Sequence, residues 1–299
     1  MIKINNISKS FGDIAAVTDT SINIREGRIL GLIGTNGAGK STFLRMLSGI
    51  YKPDSGSILI DGEEVFDNVN VKKNIFYISD EEYFEKNETP KGLAEYYSKL
   101  YENFDMHEFF ELMQDFNLDL KRKISTFSKG MKRQLSMIIG VCANTKYIFC
   151  DETFDGLDPV MRKAVKNLFT ANILERQVCI VIASHNHREL EDVCDDVGVM
   201  YKGGILLADE LDNLKLNLTK IQLVLPENLS ITDIEKLGVN VMHSEMRGRL
   251  ITITVKGDRE ESFMKINSLN PIFSEIIPLT LEEIFICETS AAGYNIGMI

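Results

Sequence analysis

The stretch Gly34-Thr35-Asn36-Gly37-Ala38-Gly39-Lys40-Ser41 fits the pattern G-x-x-x-x-G-K-[ST] and constrains the fold of this chain more than any other feature. It follows Arg28-Ile29-Leu30-Gly31-Leu32-Ile33, a nearly continuous apolar run of the kind a strand buried on both faces requires. A helix is expected to begin near Lys40. Glycines let such a turn curl until successive N–H groups converge, and the helix start adds the positive end of its dipole. Strand, turn and helix together therefore make an anion cradle. In that cradle Lys40 is expected to bridge the β- and γ-phosphates of a nucleoside triphosphate, and the Ser41 hydroxyl to face Mg²⁺.

The surrounding pattern sets this motif in a layered α/β chain. Ile2 to Ile7 and Asp19 to Ile24 alternate polar and apolar residues, and Ser55 to Ile60 partly repeats the alternation, which predicts half-buried antiparallel strands. From about Thr89 to Leu118 the spacing becomes helical, with Leu93, Tyr96, Tyr97, Leu100 and Tyr101, then Phe109, Phe110, Leu112 and Met113. Apolar strand-like runs return at Tyr147 to Cys150, Val178 to Ile182 and Val197 to Met200, separated by helical stretches. That alternation predicts a mostly parallel sheet with helices on both faces.

Around residues 209–219 the pattern lapses into a polar, Asn- and Lys-containing stretch, read as a boundary. Beyond it the order is strand, helix, strand, strand, helix, strand between Ile221 and Ile277, a split βαβ or ferredoxin-like succession. The expected organisation is a first domain over 1–210 with a helical insert at about 80–137, a linker at 211–219, and a small α+β domain over 220–299.

Composition narrows the partners. Asp plus Glu number 44 against 33 Lys plus Arg, and the resulting charge of -11 repels phosphate backbones, so no nucleic-acid partner is expected. Five cysteines, Cys142, Cys150, Cys179, Cys194 and Cys287, lie scattered without a C-x-x-C pair, which reads as a reduced, cytoplasmic chain. No secretory leader and no run of about 18 apolar residues is read, so a membrane role is expected to come through a partner.

A second chemical motif stands at Tyr147-Ile148-Phe149-Cys150-Asp151-Glu152, an apolar strand ending in two carboxylates. Side chains alternate along a strand, so the two need not do the same work. Asp151 is expected on the Mg²⁺ side, and Glu152 to polarise the attacking water. Between the two motifs lies Phe127-Ser128-Lys129-Gly130-Met131-Lys132-Arg133-Gln134. It occupies the place of the LSGGQ signature in the ATPase subunits of ATP-binding cassette transporters, and over residues 1 to about 210 the sequence resembles that family. Ser128 and Gly130 match the signature, whereas Phe127, Lys129 and Met131 depart from it.

The resemblance implies a P-loop NTPase cassette with an antiparallel β subdomain, binding ATP with Mg²⁺ between two head-to-tail cassettes. The second cassette is a copy of this chain or a companion. Ser128, Lys129 and Gly130 would then reach nucleotide held by the opposite subunit. It further implies that Phe11 stacks on adenine, that Thr42 continues the phosphate-binding run, and that Asp158 in Gly156-Leu157-Asp158-Pro159 touches the partner cassette. His185, after the strand Val178 to Ile182, matches the histidine that contacts the γ-phosphate. Thr153-Phe154 replaces the family's usual Pro-Thr.

Asp80 holds the place of the family's metal-side Gln, although Asp80-Glu81-Glu82 reads equally as a solvated acidic turn. A membrane permease is the implied partner, which places the chain peripherally at the cytoplasmic face of the membrane. The FSKGM signature and the segment Leu279 to Phe285 resemble exporters of the ABC-2 type, so the implied function is ATP-driven export of an amphipathic peptide, antibiotic or hydrophobic compound. The alternative is an importer ATPase whose C-terminal unit senses a regulatory ligand; a dimerisation or packing role without ligand is also open for residues 221–288.

Overall fold

The computed structural model describes residues 1–154 and 157–293. They fall into two compact units, the first over Met1–Ala208 and the second from Asp209 onward.

The first unit begins with β1 (Ile2–Phe11), β2 (Ile14–Ile24), β3 (Ile29–Ile33), α1 (Lys40–Leu47), β4 (Ser55–Ile60), β5 (Glu63–Glu64), α2 (Val69–Lys72) and β6 (Ile75–Ile78). The helical stretch supplies α3 (Pro90–Leu100), α4 (Met106–Asp115) and α5 (Lys129–Cys142). Then follow β7 (Tyr147–Asp151), α6 (Pro159–Arg176), β8 (Cys179–Ser184), α7 (His187–Val193), β9 (Asp196–Tyr201) and β10 (Gly204–Glu210).

Two sheets result. The four-stranded sheet runs β2-β1-β4-β5 with antiparallel pairings, as the alternating sequences predict. The six-stranded sheet runs β10-β9-β3-β8-β7-β6, and the pairs β6/β7, β7/β8, β8/β3 and β3/β9 are parallel. Every residue of β3, β7 and β8 is buried, which is why those segments read as unbroken apolar runs. Phe43 of α1 and Phe149 of β7 are fully buried in the core between the sheets; each such ring contributes about 2–3 kcal/mol by leaving water. That packing fixes α1 against the strand ends from which the functional side chains project.

The second unit comprises α8 (Leu211–Asn217), β11 (Leu218–Val224), α9 (Ile231–Glu235), β12 (Asn240–Arg247), β13 (Leu250–Lys256), α10 (Arg259–Asn267), β14 (Phe273–Ile277) and α11 (Leu281–Ala291). Its sheet order β12-β13-β11-β14, antiparallel throughout, is the split βαβ arrangement that the sequence predicts. The expected linker at 211–219 is a correction: the stretch forms α8 and the start of β11, with Leu211 and Leu214 buried three residues apart. Two leucines at helical spacing hold a segment whose Asn and Lys content suggests a loop. The closing helix α11 starts from a capping box in which Thr280 and Glu283 exchange hydrogen bonds.

Candidate active site

The phosphate-loop residues sit where the sequence places them, between β3 and α1. Two glycines are required by close approach. A Cβ on Gly39, whose φ is +100°, would lie 2.2 Å from the Ala16 carbonyl oxygen, and one on Gly34 would lie 2.5 Å from that of Met200. The Ala38 N–H donates to the Thr35 carbonyl at 3.0 Å, closing the turn ahead of the helix. A cleft of about 760 Å³ opens over this loop, and Asn36, Gly37, Ala38, Gly39, Lys40, Ser41 and Thr42 form one wall. Gly34 and Thr35 lie beneath it, their carbonyls accepting from Lys40 Nζ at 2.8 and 3.4 Å.

The two carboxylates ending β7 face different partners. Asp151, fully buried, accepts from Ser41 Oγ and Tyr77 Oη at 3.0 Å each. Burial pushes the Asp151 carboxyl above its usual range; the Ser41 and Tyr77 hydrogen bonds pull it back, and the charge of Asp80 adds to the rise. Glu152 takes a left-handed backbone conformation, φ +49°, held by its N–H donating to the Ala183 carbonyl at 2.9 Å. The chain leaves the strand there. One Glu152 oxygen lies 3.5 Å from Lys40 Nζ, and the other lies 2.8 Å from His185 Nδ1. Phosphate-loop cation, strand-end carboxylate and imidazole thus form one chain at the cleft floor, and Glu152 and His185 both line the cleft.

The donor set beside Ser41 and Asp151 is hydroxyl and carboxylate oxygen, which suits a hard cation such as Mg²⁺. Among the described residues no group of three or more His, Cys, Asp or Glu side chains forms a cage.

The remaining expected residues are distributed unevenly. Asp80 lines the cleft, but the acidic segment is not simply a solvated turn. The buried Arg133 of α5 donates to the Ser79 carbonyl at 2.8 Å and to that of Asp80, and Glu82 turns toward Ser136 with its carboxyl pushed up by burial. The loop is therefore strapped to the signature helix. Ser128 is the N-cap of α5, its Oγ accepting from the Met131 N–H at 3.2 Å. Ser128 is exposed and Gly130 half-buried, and neither lines this cleft, whereas Lys129 lies on the same chain's cleft wall.

Asp158 caps α6 by accepting from the Val160 and Met161 N–H groups at 2.9 and 3.0 Å; Gly156 lies outside the described residues. Phe11 is half-exposed at the end of β1, its ring packed edge-on against Tyr51 at 5.3 Å. It is not on the cleft wall, which on that side is formed by Ile14, Ala15 and Ala16. Sequence reasoning missed Arg133, Tyr77 and Ile14, whose roles arise from tertiary contacts. The Lys132-Arg133 pair after the signature was the one visible signal.

Known proteins resemble this chain in both sequence and fold. Residues 17–155 match the family profile described as ABC transporter. The chain is 32% identical to the ABC transporter ATP-binding protein YtrB of Bacillus subtilis (strain 168), over 96% of this chain and 98% of that protein. It is also 32% identical to the bacitracin transport ATP-binding protein BcrA of Bacillus licheniformis, over 72% of this chain and 71% of that one. Among solved structures, the ATP-binding subunit of an ABC transporter superposes with a TM-score of 0.66 at 23% identity, covering 72% of this chain and 92% of that chain, a likeness of fold.

Proposed function

The chain belongs to the ATP-binding subunits of ABC transporters, a family of ATP-hydrolysing motors, and from that premise we propose that it drives an exporter by hydrolysing Mg-ATP between two head-to-tail copies. Cassettes of this family pair with one another and with membrane permeases. Among the described residues no helix is long and apolar enough to cross a membrane, so the proposed station is peripheral, at the cytoplasmic face of a permease.

The observation that carries the reading is the Lys40–Glu152–His185 chain set beside the Ser41–Asp151 pair at one cleft floor. Lys40 exchanges its bond to Glu152 for the β- and γ-phosphates of ATP. Glu152, released from that pair, accepts a proton from the water that attacks the γ-phosphorus, and the bond to the bridging oxygen of ADP breaks. His185 Nδ1 donates to Glu152 before reaction; once Glu152 has taken the proton from water it can donate to Nδ1 instead, which leaves Nε2–H to donate to the γ-phosphate. Ser41 and Asp151 are the residues that would hold Mg²⁺, which when bound offsets charge on the phosphates.

Closure would use the solvent-facing N-terminal end of the signature helix. Ser128 and Gly130 are left open to a second cassette, which would present its own phosphate loop and ATP to them. Splitting the γ-phosphate removes the shared anion and the pair reopens, a population shift set by the affinity difference between nucleotide states. Tyr83, Tyr96 and Leu100, 89%, 57% and 53% exposed, lie on the segment that would press against the permease.

The cargo class proposed is an amphipathic peptide or peptide antibiotic, supported by the bacitracin-transport relative. The test is phosphate release by the chain reconstituted with its permease in lipid vesicles, with candidate peptides added. Stimulation by an antibiotic peptide together with its outward movement supports the reading. Hydrolysis that no peptide stimulates, or inward movement of a solute, opposes it.

A further inference from the structure

We infer that Tyr77 is a positioning residue that fixes the Asp151 carboxylate for the metal side of the reaction, an inference resting on the reading of Asp151 given above. Tyr77 lies in β6, where its neighbours Phe76 and Ile78 are buried and apolar, and it pairs across the sheet with Phe149 of β7. A phenylalanine would fill that place equally well, so the hydroxyl calls for a polar explanation.

Its surroundings supply one. Tyr77 Oη donates to one Asp151 oxygen at 3.0 Å while Ser41 Oγ donates to the other at the same distance. With a hydroxyl on each oxygen the carboxylate plane is set. The direction of the Tyr77 proton is set by chemistry: an ionised carboxylate only accepts, so the phenol hydrogen turns to Asp151. Arg45 of α1 stands nearby, its guanidinium 6.0 Å over the Tyr51 ring. Ser41 is itself a candidate metal group. Tyr77 is therefore the donor that keeps Asp151 in place when Ser41 is engaged with the cation. Partners one step removed from a metal govern affinity by fixing the orientation of its ligands.

The test is binding of a fluorescent ATP analogue to the full chain, titrated with Mg²⁺ and repeated in EDTA, in the Glu152→Gln background so that nucleotide persists. Tyr77→Phe deletes one oxygen and keeps the ring. It is expected to raise the Mg²⁺ concentration for half-maximal enhancement by about 10-fold while leaving affinity in EDTA unchanged. Asp151→Asn is expected to raise it at least as far, and Tyr77→Phe to add nothing on top of Asp151→Asn, because Tyr77 acts through that carboxylate.

An unchanged Mg²⁺ dependence in Tyr77→Phe beside a shifted one in Asp151→Asn overturns the inference and leaves the reading of Asp151 standing. Additive effects, or a loss of affinity equal with and without Mg²⁺, would show a general packing role and also overturn it. If Asp151→Asn leaves the Mg²⁺ dependence unchanged, the reading of Asp151 itself fails, and the assignment of Tyr77 with it.

Discussion

Replacing Glu152 by Gln is expected to move turnover and nucleotide affinity in opposite directions. The substitution keeps the size of the side chain and an oxygen that can accept from His185, so the left-handed turn at this position is preserved. It removes the base. A positioned base contributes about 10²- to 10⁴-fold, or about 3–5 kcal/mol of barrier, and phosphate release should slow by that factor. It also removes the charge that holds Lys40 in the nucleotide-free protein. The pair is 3.5 Å apart, with the lysine side chain 6% and the glutamate 18% exposed, so it is better shielded than a surface ion pair. A net worth of about 1–1.4 kcal/mol corresponds to ATP binding about 5- to 10-fold tighter once Lys40 no longer leaves a carboxylate to meet the phosphates. Single-turnover phosphate release and titration with a fluorescent nucleotide measure the two effects separately. Unchanged turnover would remove Glu152 from the chemistry, and weaker binding would refute its competition with phosphate for Lys40.

Three further outcomes follow from the geometry. Gly39→Ala should destabilise the nucleotide-free protein by about 1–3 kcal/mol and abolish nucleotide binding, because the added methyl meets the Ala16 carbonyl at a left-handed residue; thermal unfolding with and without ATP checks both. Burial pushes the Glu283 carboxyl up, but its hydrogen bonds with Lys220 and the Thr280 N–H outweigh that and hold it below the usual range. Its contribution is therefore complete above the unfolded value of about 4.3 and lost as pH falls through the lower folded value; amide protection of α11 should drop over that acid range in wild type, with a smaller pH dependence in Glu283→Gln. Tyr83→Asp combined with Tyr96→Asp should prevent co-purification with the permease while leaving ATP affinity within about twofold of wild type, since both side chains are exposed and neither lines the cleft; retained co-purification would move the docking surface elsewhere.

What was legible in the sequence was what local chemistry dictates. The phosphate loop announces itself because Gly34 and Gly39 leave no room for another residue, and β7 because burial on both faces demands an apolar run before Asp151. The antiparallel sheet β2-β1-β4-β5 was readable from alternation, since one face packs on the core around α1. The contacts made across the fold were not legible. Nothing near Asp80 in the chain foretells that Arg133, more than fifty residues on, straps that loop to the signature helix. Tyr77 reads as one more aromatic in a strand until Asp151 and Arg45 are brought beside it. In α8 the polar residues between Leu211 and Leu214 masked a helical spacing, and the capping pair Thr280 and Glu283 was an unused signal for α11.

The central claim is that each reaction centre is built from two chains, one giving Lys40 and the other Ser128 and Gly130. Lys40→Ala and Ser128→Arg proteins, each folded and each expected to be inactive alone, can be mixed and their phosphate release followed. Recovery of hydrolysis on mixing is predicted, because the mixed pair contains one centre with an intact phosphate loop facing an intact signature. A mixture as inactive as its parts, or wild-type hydrolysis by Ser128→Arg alone, would contradict the account.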